Sequence, residues 1–219
     1  MNKILLLEQL KKVPYISKQN LGLILEKRDE NLNYWVKKLI SDKTLIPLKK
    51  GLYISRYYYD IISEISPFER ENYLIYLANS IRQPSYVSLE YILSKSGLLP
   101  ESSFSITSIT LKSTRKYVTD IGTFYYKNIK KEFFYGYKIK QFKGKQIREA
   151  GIAKALFDFF YLRTFKSEEE IQEFITVSGR FNWDILNKND KKQLADFIIT
   201  AKSKKMQRLL FILQKEKII

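Results

Sequence analysis

The chain has 219 residues, no cysteine and no histidine, so disulfides, thiolate zinc sites, cysteine nucleophiles and imidazole bases are all excluded. Apolar residues make up 45% and aromatics 15%, enough to build a packed core, and the formal net charge of +16 points to a polyanionic partner. That charge is uneven: residues 1–58 hold +7, residues 59–111 hold −3, and residues 112–148 hold +9.

In chain order, residues 2–12 place Ile4, Leu5, Leu7 and Leu10 near helical spacing, and Pro14 closes this first helix. The segment is too short and too broken by Glu8 for a membrane span, which predicts a cytoplasmic protein without a membrane partner. Ser17 is a good N-cap for a second helix with Leu21, Ile24 and Leu25 on one side. A third helix follows Asp29, where Leu32, Trp35, Val36, Leu39 and Ile40 form an apolar stripe. Its other face carries Asn31, Asn33, Tyr34, Lys37 and Lys38, amides suited to base edges and ammonium groups suited to phosphates.

The stretch LIPLKKGLYIS, residues 45–55, reads as a β-hairpin with Lys49, Lys50 and Gly51 at its tip. Lysine at a turn is ordinarily just solvated, but three helices followed by a basic hairpin is the order of a winged helix-turn-helix. Residues 1–60 are therefore expected to bind DNA through Asn31, Asn33, Tyr34, Lys37, Lys38, Lys49 and Lys50. A winged helix used for protein contacts is the competing reading.

Farther on, a helix is expected from Pro67 to Ser80, then a turn, a helix capped by Ser88 and a stop at Gly97. FSITSITL and TFYYKNI read as strands of a small antiparallel sheet. AGIAKALFDFFYLR is apolar on nearly every face and reads as a buried helix in which Lys154 and Asp158 form a structural ion pair at i, i+4. Glu168, Glu169 and Glu170 follow Ser167 as the charged first turn of a capped helix, not as metal ligands. No catalytic residue, cofactor or metal is expected, and a carboxylate–metal nuclease is disfavoured because no acid cluster accompanies that turn. The second basic block contributes Lys112, Arg115, Lys116, Lys127, Lys130 and Lys131 beside strands, either as a face for a polyanion or as a solvated surface.

Several of these stretches together, namely KKGLYI, PSYVSLEYILSKSGLL, ITLKSTRKY, IGTFYYKNI, FFYGY and AGIAKALFDFFYLR, resemble the AbiEi family of antitoxins over roughly residues 5–165. Ala153 stands where the family commonly has an acidic residue before Lys-Ala-Leu. The resemblance implies a type IV antitoxin. Its N-terminal domain would repress its own operon at inverted repeats in promoter DNA. Its C-terminal domain, residues 61–219, would counter an AbiEii-like nucleotidyltransferase toxin without a stable complex. The expected fold is α+β: a winged helix to residue 60, then a small antiparallel sheet packed among helices. A winged-helix regulator with no toxin partner, its second domain serving dimerisation or effector sensing, is the alternative.

Overall fold

A computed structural model describes residues 3–101, 103 and 105–219, and it is α+β. The chain begins with α1 (Lys3–Leu10), β1 (Ile16–Ser17), α2 (Lys18–Leu25) and α3 (Asp29–Ser41), followed by a hairpin of β2 (Leu45–Lys49) and β3 (Leu52–Ser55). Asn2 and the side chains of Ile4 and Leu5, assigned above to the first helix, lie outside the described residues, and Leu6 and Leu10 bury its inner face. Ser17 caps α2 as expected, its Oγ accepting from the Asn20 amide at 3.1 Å. The turn into α3 takes only Glu26, Lys27 and Arg28, with Glu26 left-handed at φ 53°. A Cβ on Gly22 would come within 2.9 Å of Leu32 Cδ2, so glycine is what lets α2 approach α3 this closely. On α3 the stripe faces in: Leu32, Val36 and Leu39 are buried, with Trp35 and Ile40 half-buried.

β3 runs between β1 and β2, antiparallel to both. Pro47 lacks an amide hydrogen and sits on the edge strand β2, where a missing donor costs no ladder bond. The two faces of this sheet enter different cores. Ile16, Leu45 and Tyr53 join the residues buried among α1, α2 and α3, whereas Ile46, Leu48, Leu52 and Ile54 belong to the larger core of the rest of the chain. The boundary expected at residue 60 falls within α4 (Arg56–Ile65), a helix the sequence reading did not anticipate. A further tie across it is Tyr73 Oη, which donates to the Pro14 carbonyl.

Then come α5 (Pro67–Ile81), β4 (Ser85–Val87), α6 (Glu90–Lys95), β5 (Ser105–Thr110), β6 (Arg115–Thr119), β7 (Gly122–Asn128), a 3-10 turn at Lys131–Phe133, β8 (Tyr137–Phe142), β9 (Lys145–Ala150) and α7 (Ile152–Leu162). Among the described residues the strands divide into the three-stranded sheet above and a six-stranded mixed sheet of order β6-β7-β5-β4-β9-β8. This corrects the expected small antiparallel sheet, because β5 with β7 and β4 with β9 pair in parallel. The cause is a detour. After β5 the chain turns back along the outer strand β6, and β7 then enters between the two, which gives it the direction of β5. Phe104, the first residue of the FSITSITL strand reading, lies outside the described residues.

Helices cover both faces of this sheet. On one, Tyr126 Oη donates to the Ala78 carbonyl of α5 at 2.6 Å, and Asn79 bonds the main chain of Arg148. On the other, Tyr86 and Ser88 reach Asp158 of α7. Beyond α7 lie α8 (Glu168–Glu173), a π-turn at Phe174–Ser178, a 3-10 turn at Trp183–Ile185, α9 (Lys188–Thr200) and α10 (Lys204–Lys215). Ser167 Oγ accepts from the Glu170 amide, so the three glutamates form the first turn of a capped helix, where the helix dipole favours them. No helix among the described residues is long and apolar enough to cross a membrane.

Candidate nucleic-acid interface

The polar face of α3 is exposed. Asn31, Asn33, Tyr34, Lys37 and Lys38 are all exposed, Tyr34 at 61%. They stand outward because the apolar stripe occupies the opposite side of the same 13-residue helix. Neighbours limit how they move. Lys38 Nζ lies 4.9 Å from the centroid of the Trp35 ring, and Tyr34 meets that ring edge-on at 6.0 Å. Lys18, the first residue of α2, donates to Asn33 Oδ1 at 2.5 Å. The Asn33 oxygen is so occupied, and Lys18 joins the face as a cation the sequence reading missed. No spacing signal marks Lys18, because the contact is made across the turn between α2 and α3 and not along one helix. An open groove of about 540 Å³ follows that turn, lined by residues that include Gln19, Leu23, Lys27 and Arg28.

At the hairpin tip the two lysines part. Lys50 is exposed beside Gly51, whose φ of +79° makes the turn. Lys49 is half-buried and donates its ammonium to the Ile81 carbonyl, at the C-terminal end of α5 where the helix dipole favours a cation. The residue after Ile81, Arg82, donates to the Ser113 carbonyl at 2.6 Å and Ser113 Oγ at 2.9 Å. Tip and β6 thus converge on the end of α5, and β2 lies alongside β6.

The second basic block does not form one face. Lys112 precedes β6, Arg115 and Lys116 lie on it, and Lys127 lies on β7. Cross-strand pairing of Arg115 with Tyr126, and the bond from Asn128 Nδ2 to the Lys112 carbonyl at 3.1 Å, gather Lys112, Arg115 and Lys127 at one end of this edge. Lys127 is half-buried and 3.6 Å from Glu90, while Lys130, exposed next to Lys131 after β7, is 3.9 Å from Glu132. The remaining cations, Lys138, Lys140, Lys143, Lys145 and Arg148, belong to the β8–β9 hairpin at the other edge. Five strand spacings separate the two edges, about 24 Å.

Lys154 and Asp158 are 1% and 0% exposed and meet at 2.7 Å. Lys154 Nζ also donates to the Phe133 carbonyl at 2.9 Å and lies 4.5 Å from the Phe157 ring centroid. The other carboxylate oxygen accepts from Tyr86 Oη at 2.9 Å and Ser88 Oγ at 2.8 Å. Burial pushes the Asp158 carboxyl up and the Lys154 ammonium down. The ion pair opposes both shifts, as do the Ser88 and Tyr86 hydroxyls at Asp158. With every charged oxygen and the ammonium engaged inside the core, the pair holds α7 to the sheet. Ser88 was expected to cap the following helix. Instead its hydroxyl satisfies Asp158, and α6 begins after Leu89, at φ 62°, without a side-chain cap.

Comparison with protein-family models and with curated proteins finds no match to this chain.

Proposed function

We propose that the N-terminal unit expected at residues 1–60 is a winged helix-turn-helix that represses its own operon at inverted repeats in promoter DNA, and that the remainder acts as the antitoxin of a cytoplasmic type IV system. One observation carries the DNA reading: the exposed amide, phenol and ammonium face of α3, held behind a three-residue turn from α2. The order α1-β1-α2-α3-β2-β3, with β3 central in the small sheet, supports it. α3 would enter the major groove, and Lys50 would meet flanking phosphate. The antitoxin reading is supported by the AbiEi-like motifs of residues 84–163, and it assigns the protein no catalysis, cofactor or metal. Neutralisation would act on a nucleotidyltransferase toxin without a stable complex, the Lys112–Lys131 edge meeting a polyanion.

The test is binding of the protein's own promoter fragment and of a scrambled duplex across a salt series. With 6–10 phosphate contacts, affinity falls on the order of 10³–10⁵-fold between 50 and 200 mM salt. The promoter fragment should bind more tightly than the scrambled duplex at every salt concentration. Equal affinity for the two, or a flat salt response, defeats the DNA reading. Survival of cells expressing a cognate nucleotidyltransferase toxin tests the antitoxin half, and death despite folded antitoxin defeats that half alone.

A further inference from the structure

α4 presents an apolar row to solvent. Tyr57, Ile61 and Ile65 recur at i, i+4 and i+8 and are 40%, 45% and 54% exposed, and Phe68 follows at the start of α5 at 65%. The opposite side of the helix is already in use, with Ile62 buried and Tyr58 and Tyr59 packed against the large core. This outward row is therefore a second apolar surface on a helix whose first one is satisfied. Interaction sites present exposed apolar rows of this kind.

Beside it runs a parallel row of charges at the same spacing, Arg56, Asp60 and Glu64. None of the three has an ion-pair partner among the described residues. The row is positive at the N-terminal end and negative at the C-terminal end, which makes the face complementary to itself when reversed. We infer that a second copy of this chain docks on α4, the two helices antiparallel about a two-fold axis near Ile61.

In that arrangement Tyr57 packs on the partner's Ile65, and Arg56 faces the partner's Glu64. The helix dipoles oppose, which is also favourable. A parallel arrangement would set Arg56 against Arg56 and Glu64 against Glu64. The antiparallel one has a single unfavourable contact, Asp60 with its own copy beside the axis.

Sedimentation velocity of the full chain over a concentration series, at levels that saturate a micromolar interaction, reads the association directly. Wild type should dimerise and Ile61→Glu should be monomeric, with the same circular dichroism because Ile61 is on the surface. Arg56→Glu or Glu64→Arg alone should weaken the dimer on the order of tenfold or more, and the two together should restore it. Asp60→Asn should tighten it. The chain has no cysteine, so Ile61→Cys introduces a unique thiol, which should form a disulfide-linked dimer on mild oxidation. Phe211→Cys, exposed on α10, should not. A monomeric wild type overturns the inference. So does a dimer indifferent to Ile61→Glu and to the charge exchange, or one in which Ile61→Cys fails to crosslink.

Discussion

α3 shows solvent two asparagines, a tyrosine and two lysines, whereas α7 draws a lysine and an aspartate wholly inside. The helices are of similar length, 13 and 11 residues, and each carries lysine, two on α3 and one on α7, yet the charge is used in opposite ways. On α3 the ammonium groups remain hydrated and free to exchange a counterion for a phosphate. On α7 the ammonium has lost its water and is held by one carboxylate, one carbonyl and the faces of aromatic rings. What decides between these uses is the neighbouring sequence. A stripe with a polar back leaves lysine outside, and an apolar surround requires that lysine arrive with its partner.

The contrast is sharpened first by removing the buried charge. Lys154→Met should cost about 3–5 kcal/mol of stability in urea unfolding, because it leaves Asp158 buried without its counter-charge. Lys154→Met with Asp158→Leu should recover much of that loss. Below the unfolding transition, duplex binding by either variant should match wild type, and a selective loss of binding would place α7 in the interface.

On the outer helix, Asn33→Ala should narrow the gap between promoter and scrambled duplex by about 0.5–1.5 kcal/mol, the value of the single hydrogen bond its amide nitrogen can donate to a base edge, as read by competition binding. Lys37→Ala with Lys38→Ala should weaken both duplexes alike and lower the salt slope by about 2. The matching pair Lys116→Ala with Lys131→Ala should leave the slope unchanged. If it lowers the slope equally, the β6 edge shares the same duplex.

The smallest effect separates the hairpin lysines. Lys49→Ala should cost about 1 kcal/mol of stability, because its ammonium serves the Ile81 carbonyl, while Lys50→Ala should cost none and shift only the salt slope.

Much of this was legible in the residues. The α3 stripe, the Ser17 and Ser167 caps and the Lys154–Asp158 pair all follow from local spacing, and the structure places them accordingly. Contacts that depend on distant partners were not legible. Local pattern marks FSITSITL and TFYYKNI as strands, but their parallel pairing is fixed by the return along β6. Ser88 looks like a cap until Asp158, seventy residues away, takes its hydroxyl. The hairpin carries its own signal: LIPL and LYIS are nearly unbroken apolar runs, the mark of strands covered on both faces.

That doubly covered hairpin bears on how the chain can be divided or recombined. Its strands line two cores at once, so neither half keeps a finished surface if the other is taken away. A fragment starting at residue 60 would be left with bare apolar side chains that Ile46, Leu48, Leu52 and Ile54 had covered. A fragment ending there would carry those four residues into water. A chimera that exchanges the N-terminal helices must therefore keep the hairpin matched to both sides, grafting only α1 to α3. In hydrogen exchange, the amides of β3 should open only with the whole molecule.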